Sequence, residues 1–212
     1  MSRIQEIDQL IQQGRGKKVC ETIQAAMDEG ISAADILREG MLPAMSAIGE
    51  KFKNNEVFVP EVLVAARAMN MGMALLKPYM ADCGIEPAGT AVIGTVRGDM
   101  HDIGKNLVKM MIEGKGLRVV DLGVDVSPEK FLEAAEENHA DIICCSALLT
   151  TTMNEMKNVV EEAKKEGIRD QVKIMVGGAP VTQAFCDAIG ADYYTPDAAS
   201  AADVAYQICR QA

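Results

Sequence analysis

Residues 90–104 read TAVIGTVRGDMHDIG, and the change of pattern inside this stretch decides the fold. Thr90 to Val96 form a short apolar run rich in β-branched residues, the kind that makes a strand buried on both faces. Gly98 ends the run, a polar turn follows, and from Ile103 apolar residues recur at helical spacing. The same unit repeats down the chain. Apolar runs at 117–121, 141–147 and 172–176, and a weaker one at 192–194, alternate with helical patterns at 103–114, 128–138, 152–166 and 181–189. A last helix is expected at 198–211. Repeated strand–helix units predict an α/β fold, a flavodoxin-like, Rossmann-type doubly wound parallel sheet of five strands. Ligands of such sheets bind beyond the carboxyl ends of the strands, which makes the residues there the first candidates for function.

Upstream of this region the character differs. Residues 3–13, 16–29, 33–52 and 59–80 each suit an amphipathic helix, separated by short breaks at 14–16 and 29–32. Ser32 is placed as an N-cap, and Pro60 falls where a first helical turn tolerates proline. Four helices with short connections predict an antiparallel bundle over residues 1–85, preceding the α/β domain at 86–212. The stretch ADCGIEPAG at 81–89 reads as the linker.

Composition narrows the function classes. Of 212 residues 49% are hydrophobic, so a sizeable core is available, filled without Trp. The net charge of −10 argues against nucleic acid, whose phosphates call for clustered Lys and Arg. No continuous apolar run approaches the roughly 20 residues of a membrane helix, and the N-terminus lacks a signal-peptide apolar stretch. A soluble, cytoplasmic protein is the expectation. The six cysteines, Cys20, Cys83, Cys144, Cys145, Cys186 and Cys209, form no C-x-x-C. Their spacing suits neither a zinc site nor a disulfide framework, and reduced, mostly buried thiols are expected.

Three clusters fall at three strand ends. Gly98-Asp99-Met100-His101-Asp102-Ile103-Gly104 follows the first strand, Ser146-Ala147-Leu148-Leu149-Thr150-Thr151-Thr152 the third, and Gly177-Gly178-Ala179-Pro180 the fourth. All three should reach one edge of the sheet. A nucleotide site would want G-x-G-x-x-G or a P-loop at the first turn, and Gly94, Gly98 and Gly104 match neither spacing. A receiver domain shares the topology, but its first-strand acidic pair and later Lys are not evident. Of the two histidines, His139 sits in a polar helix end and reads as a surface residue. His101 has Asp99 two residues before it, and a metal-binding imidazole usually donates its second N–H to such a carboxylate. A structural loop histidine paired with Asp99 is the competing reading of that dipeptide.

Asp99-Met100-His101-Asp102-Ile103-Gly104, Ser146-Ala147-Leu148 and Gly177-Gly178 together resemble the D-x-H-x-x-G…S-x-L…G-G signature of base-off, His-on cobalamin-binding domains. The helical segment is similar to the cap module beside that domain in cobalamin-dependent methionine synthase. In overall plan the chain looks like the short corrinoid proteins of methanol, methylamine and quaternary-amine methyltransferase systems, with a Ser-Ala-Leu-x-Thr-Thr run at 146 and Gly-Gly-Ala-Pro-Val at 177. The resemblance implies cobalamin or a related corrinoid, with His101 as the axial ligand to cobalt and Asp99 as its hydrogen-bonding partner. It implies that Gly104, Gly177 and Gly178 leave room for the nucleotide tail, and that Ser146 and Leu148 contact the buried benzimidazole. Thr150 and Thr152 would supply hydroxyls near the corrin and the Asp99–His101 pair, and Ala198 would line the corrin edge. Several relatives have serine where this chain has Thr152, which keeps the hydroxyl but stiffens its rotamer.

In the helical half, Phe52, Val59 and Val62 align with apolar residues that shield the upper corrin face in relatives; ordinary bundle core is the competing reading. Met69, Met71 and Met73 read as packing residues. The implied function is a methyl carrier, not catalytic alone. A substrate-specific methyltransferase loads a methyl group onto cobalt, and a second methyltransferase passes it to a thiol or tetrahydrofolate. A reductive activation protein is the further expected partner; nucleic acid and membrane are not. Other readings stay open: a mutase subunit, a cobalamin-dependent sensor, a methionine synthase fragment, and a nucleotide or signalling module. Against the sensor stand the acidic balance, the lack of Trp and a bundle without histidine.

Overall fold

The computed structural model describes residues 2–82 and 86–211. It divides into two compact units, Met1–Pro87 with Gly114–Gly116, and Ala88–Glu113 with Leu117–Ala212. The limit expected between residues 85 and 86, part of the linker and Cys83 touch the segment 83–85, outside the described residues.

In the first unit, helices α1 (Arg3–Gln12), α2 (Gly16–Asp28), α3 (Ala33–Asp35), α4 (Leu42–Lys53) and α5 (Val59–Asp82) pack around Ile7, Ile11, Ile23, Ile36, Met45 and Met69, all essentially inaccessible to solvent. Ser2 opens α1 with a reciprocal capping box to Gln5, and Ser32 caps α3 as expected, accepting from the Asp35 N–H at 3.1 Å. The helix expected at 33–52 is not uniform. Ile36–Met41 forms a π-helical segment just before Pro43. Proline has no N–H for the carbonyl four residues back, Glu39, and its ring crowds that carbonyl, so the turn ahead of it widens.

Helix α5 corrects another expectation. Over Val59–Tyr79 it is long and apolar enough, by length and composition, to cross a membrane, with mean hydropathy 1.3. Arg67 and Asn70 interrupt the run without lowering its average enough to hide it. Val62, Ala65, Ala66, Ala68, Met69 and Leu76 are buried, which is how a central bundle helix acquires such a composition.

The second unit is the expected doubly wound domain. Strands β1 (Thr90–Thr95), β2 (Arg118–Asp121), β3 (Ile142–Ser146), β4 (Lys173–Gly177) and β5 (Tyr193–Tyr194) form one all-parallel sheet in the order 2-1-3-4-5. Helices α6 (Ile103–Glu113), α7 (Pro128–Glu137), α8 (Asn154–Lys165), α9 (Gln183–Ile189) and α10 (Ala198–Gln211) connect and close it. Val92, Val96, Ile143, Cys145, Ile174 and Val176 point to one face and meet Phe131, Met156, Val159 and Val160 of α7 and α8. The strands are short, apolar and β-branched because both faces are covered. Their pairing sets the site: Thr95, Ser146 and Gly177 stand side by side as the last row of β1, β3 and β4.

Candidate functional site

Beyond that row, the loops after β1 and β3 converge on one carboxylate. Gly98, at φ 79°, turns the chain after β1, its N–H donating to Asp125 Oδ1 at 2.7 Å. The turn carries Asp99 inward, where it is completely buried. Oδ1 accepts from the His101 N–H at 3.1 Å and lies 2.7 Å from His101 Nδ1. Oδ2 accepts from the Leu148 N–H at 2.8 Å, the Leu149 N–H at 3.1 Å and the Thr152 hydroxyl at 2.8 Å. Burial alone would push this carboxyl up, but the donors from Leu148, His101 and Thr152 together hold it well below the ordinary carboxylate range.

An ionised carboxylate only accepts, so in the neutral ring it is Nδ1 of His101 that carries the proton, which assigns the lone pair to Nε2. The imidazole is half exposed while its carboxylate partner is sealed. Thr152 Oγ1 also lies 2.9 Å from the Leu149 carbonyl, so one hydroxyl proton faces two acceptors. The same loops leave Met100, Ile103, Leu148 and Leu149 exposed, Ile103 by 78%. Four exposed large apolar side chains, on these loops and at the first residue of α6, make the surroundings of His101 the candidate binding surface.

The remaining expected residues take separate places. The Asp102 carboxylate and carbonyl both accept from Asn106, tying down the first turn of α6. A Cβ built on Gly104 would meet nothing within 4 Å, so that position is open. Gly177 is nearly so, with the Thr195 carbonyl at 3.6 Å. Gly178 is different: at φ 139° its Cβ would collide with the Ala147 carbonyl, so glycine serves there to let the β3 and β4 ends pack together. Ser146 is half-buried at the end of β3, Thr150 is exposed, and Ala198 is buried as the first residue of α10. His139 is exposed in the left-handed conformation after α7.

Within the helical unit Phe52 and Val59 are half-buried, and Val62 is fully buried in the bundle interior. Val62 thus has no free surface to present, whereas its neighbours Phe58, Leu63 and Val64 do.

Two residues of the α/β unit went unread in the sequence. Lys105 is buried on α6 with Nζ 2.6 Å from Asp121 Oδ1 and 2.8 Å from Asn106 Oδ1, and Lys109 reaches the same carboxylate at 3.2 Å. Burial would raise Asp121, but the Lys105 ammonium, the Gly123 N–H and Lys109 hold it below the ordinary range. Thr95 is fully buried and donates to the His101 carbonyl at 2.7 Å. Spacing on the α6 face could have flagged Lys105; nothing local flags Thr95.

Among the described residues no group of three or more His, Cys, Asp or Glu side chains could cage a metal ion. The site offers one imidazole nitrogen, an apolar rim and an open glycine. That donor set fits a metal arriving with its equatorial ligands already in place.

Known proteins can be set beside this geometry. A B12 binding domain model matches residues 89–204, and a second B12 binding domain model matches residues 3–77. A corrinoid protein of Desulfitobacterium hafniense strain Y51 is 41% identical over 211 residues, 98% of each chain. Trimethylamine corrinoid protein 1 of Methanosarcina acetivorans is 47% identical over 176 residues, 82% of each. A chain of the methanol:cobalamin methyltransferase complex MtaBC from Methanosarcina barkeri is 31% identical and superposes with a TM-score of 0.88, over 99% of this chain and 80% of that one.

Proposed function

This chain belongs to the B12-binding domain family, and from that premise we propose that it is a corrinoid methyl carrier holding its cofactor base-off, with His101 Nε2 as the axial ligand to cobalt. The observation that carries the reading is the Asp99–His101 pair: a buried, fully ionised carboxylate fixes Nδ1 and leaves Nε2 free on a half-exposed ring. A hydrogen-bonded carboxylate makes an imidazole a better donor and fixes its tautomer.

The corrinoid supplies a cobalt centre that takes up and gives up a methyl group; the protein supplies its orientation and surroundings. Met100, Ile103, Leu148 and Leu149 offer the apolar ring an apolar seat around His101. Asp102 fixes the start of α6, and Gly104 and Gly177 leave space for the nucleotide tail beside Ser146. Thr150 stands exposed at the rim. Ala198, at the start of α10, would line the corrin edge, and Gly178 lets the β3 and β4 ends pack together. The Thr152 hydroxyl donates to Asp99 Oδ2 and so holds from the buried side the carboxylate that orients His101. In the helical unit the apolar surface of Phe52 and Val59 serves to keep water from the upper face, with Val62 supporting it from the bundle core.

A methyltransferase specific for the donor is the first partner, as in the methanol complex to which the fold is similar. The further partners would be a second methyltransferase acting on a thiol or tetrahydrofolate and a reductive activation protein. The curated relatives point to methylamines as the donor class.

The test is ligation itself. Cofactor-free protein is mixed with hydroxocobalamin, desalted, reduced mildly to Co(II) and examined by EPR beside His101→Ala. Retained cobalt with hyperfine coupling to one axial nitrogen, lost in the variant, is the expected result. The cofactor's own benzimidazole can give the same coupling, so the protein is also labelled with nitrogen-15 histidine, and a nitrogen splitting unchanged by the label overturns the ligand assignment.

A further inference from the structure

His101 stands on a stretch, residues 99–102, that is neither helix nor strand, and half of its ring is open to solvent. Packing therefore does little to aim Nε2; hydrogen bonds must. Asp99 supplies one set, gripping the ring at Nδ1 and the backbone at the His101 N–H. The opposite side of the residue is held from the sheet. The Thr95 hydroxyl donates 2.7 Å into the His101 carbonyl.

Thr95 is well placed to act as a fixed donor. Its side chain is completely buried, and a buried hydroxyl is costly unless paired. Its own N–H donates to the Gly123 carbonyl at 3.0 Å, and it stands in register with Ser146 on β3. Its β-branched side chain has few rotamers to choose from. Gly123 in turn donates its N–H to Asp121 Oδ1, the carboxylate that Lys105 and Lys109 share. The carbonyl of His101 is thereby tied to the sheet interior, and its N–H to Asp99, so its peptide planes are held from both sides.

We propose that Thr95 is a positioning residue for His101: its hydroxyl fixes the His101 backbone and so sets the direction of Nε2 before the cofactor arrives. The inference rests on His101 being the axial ligand. Valine at position 95 would keep the shape and the methyl group but replace the donor with a second methyl, leaving the carbonyl free to swing. Serine would keep the donor and lose one methyl.

The test compares wild type, Thr95→Val, Thr95→Ser and His101→Ala, loaded with hydroxocobalamin and reduced to Co(II). Wild type and Thr95→Ser should show full axial-nitrogen coupling by EPR. Thr95→Val should show a reduced coupled fraction and a dissociation constant for the corrinoid raised about tenfold. In cofactor-free protein, hydrogen exchange at the His101 amide should quicken about tenfold in Thr95→Val and not in Thr95→Ser. Wild-type coupling and affinity in Thr95→Val overturn the proposal, as does a Thr95→Ser protein as weak as Thr95→Val, because the hydroxyl donor would then not be what sets His101. Should Thr95→Val not fold, Thr95→Ala against Thr95→Ser makes the same comparison. A nitrogen splitting unchanged by nitrogen-15 labelling of histidine would remove the axial assignment instead. The cofactor-free exchange measurement then decides alone, and an unchanged rate in Thr95→Val means that Thr95 does not hold His101.

Discussion

Asp99 Oδ1 lies 2.7 Å from His101 Nδ1, and the carboxylate is sealed from solvent while the imidazole is half open to it. The asymmetry matters because the two groups then answer to different surroundings. Asp99 is governed by five donors from the protein, and His101 by whatever approaches from outside.

Asp99→Asn keeps the shape but places an amide where only an acceptor fits, turning an N–H toward at least one backbone N–H. It should cost about 2–4 kcal/mol at pH 7, read by urea unfolding. The pH dependence follows from the lowered carboxyl. The stabilisation from Asp99 is complete above the unfolded value of about 3.9, declines as the pH falls below it, and is gone beneath the folded value. Wild type should therefore lose stability more steeply than Asp99→Asn as the pH falls from about 4 to about 2. Parallel acid limbs would show that Asp99 is not the group responsible.

Thr152→Val removes the hydroxyl donor to Asp99 Oδ2 and should cost about 1–2 kcal/mol, while Thr152→Ser should stay within about 0.5 kcal/mol of wild type. Chemical denaturation of the three proteins side by side decides it. A loss in Thr152→Ser as large as that in Thr152→Val would show that the hydroxyl bond to Asp99 does not by itself account for the contribution.

The glycines separate packing from space. Gly178→Ala should destabilise by about 3 kcal/mol or more, since neither its backbone angle nor the Ala147 carbonyl allows a Cβ. Gly104→Ala should leave thermal unfolding unchanged or raise stability by about 0.5–1 kcal/mol, since alanine is the better helix former and the space is open. Gly104→Leu should fold yet retain corrinoid at least about tenfold less well, because it fills the opening. Wild-type retention by Gly104→Leu would place the nucleotide tail elsewhere.

Lys105→Ala removes a buried partner of Asp121 and should cost about 3 kcal/mol, whereas Lys109→Ala, whose side chain is 30% exposed, should cost under about 1 kcal/mol. Unfolding at low and high salt distinguishes them: only the Lys109 contribution should be screened appreciably.

Burial pushes the Cys144 thiol up to about 12 and Cys145 higher still, and Cys209 rises to about 11 through burial and the nearby Asp141 carboxylate. At a pH of about 8 these groups hold almost no thiolate. Iodoacetamide should therefore alkylate half-buried Cys20 well before Cys144 or Cys145, which should react only on unfolding. Early labelling of either β3 cysteine, located by peptide mapping, would contradict the burial of that strand.

The strand–helix alternation was legible because it is local: two-sided burial selects β-branched apolar runs, and the loops between them begin with glycine and polar residues. Asp99 and His101 were legible for the same reason, two residues apart with complementary chemistry. The single helix expected at 33–52 misread one local signal, Pro43, whose effect falls on the turn before it. The role of Gly178 could not be read, since what forbids a side chain there is a carbonyl contributed by the loop after β3.

The sequence by itself determined the order of the elements, the sheet edge to which the three loop clusters run and the Asp99–His101 pair on it, because each depends on residues adjacent along the chain. Only the tertiary structure decided that Leu148, Leu149 and Thr152 complete the Asp99 site from some fifty residues away. It alone tied Thr95 to the His101 carbonyl, paired Lys105 with Asp121, and buried Val62 in the bundle. A hydrogen bond between distant residues depends on strand register and loop crossing, and those are settled by the packing of the whole sheet.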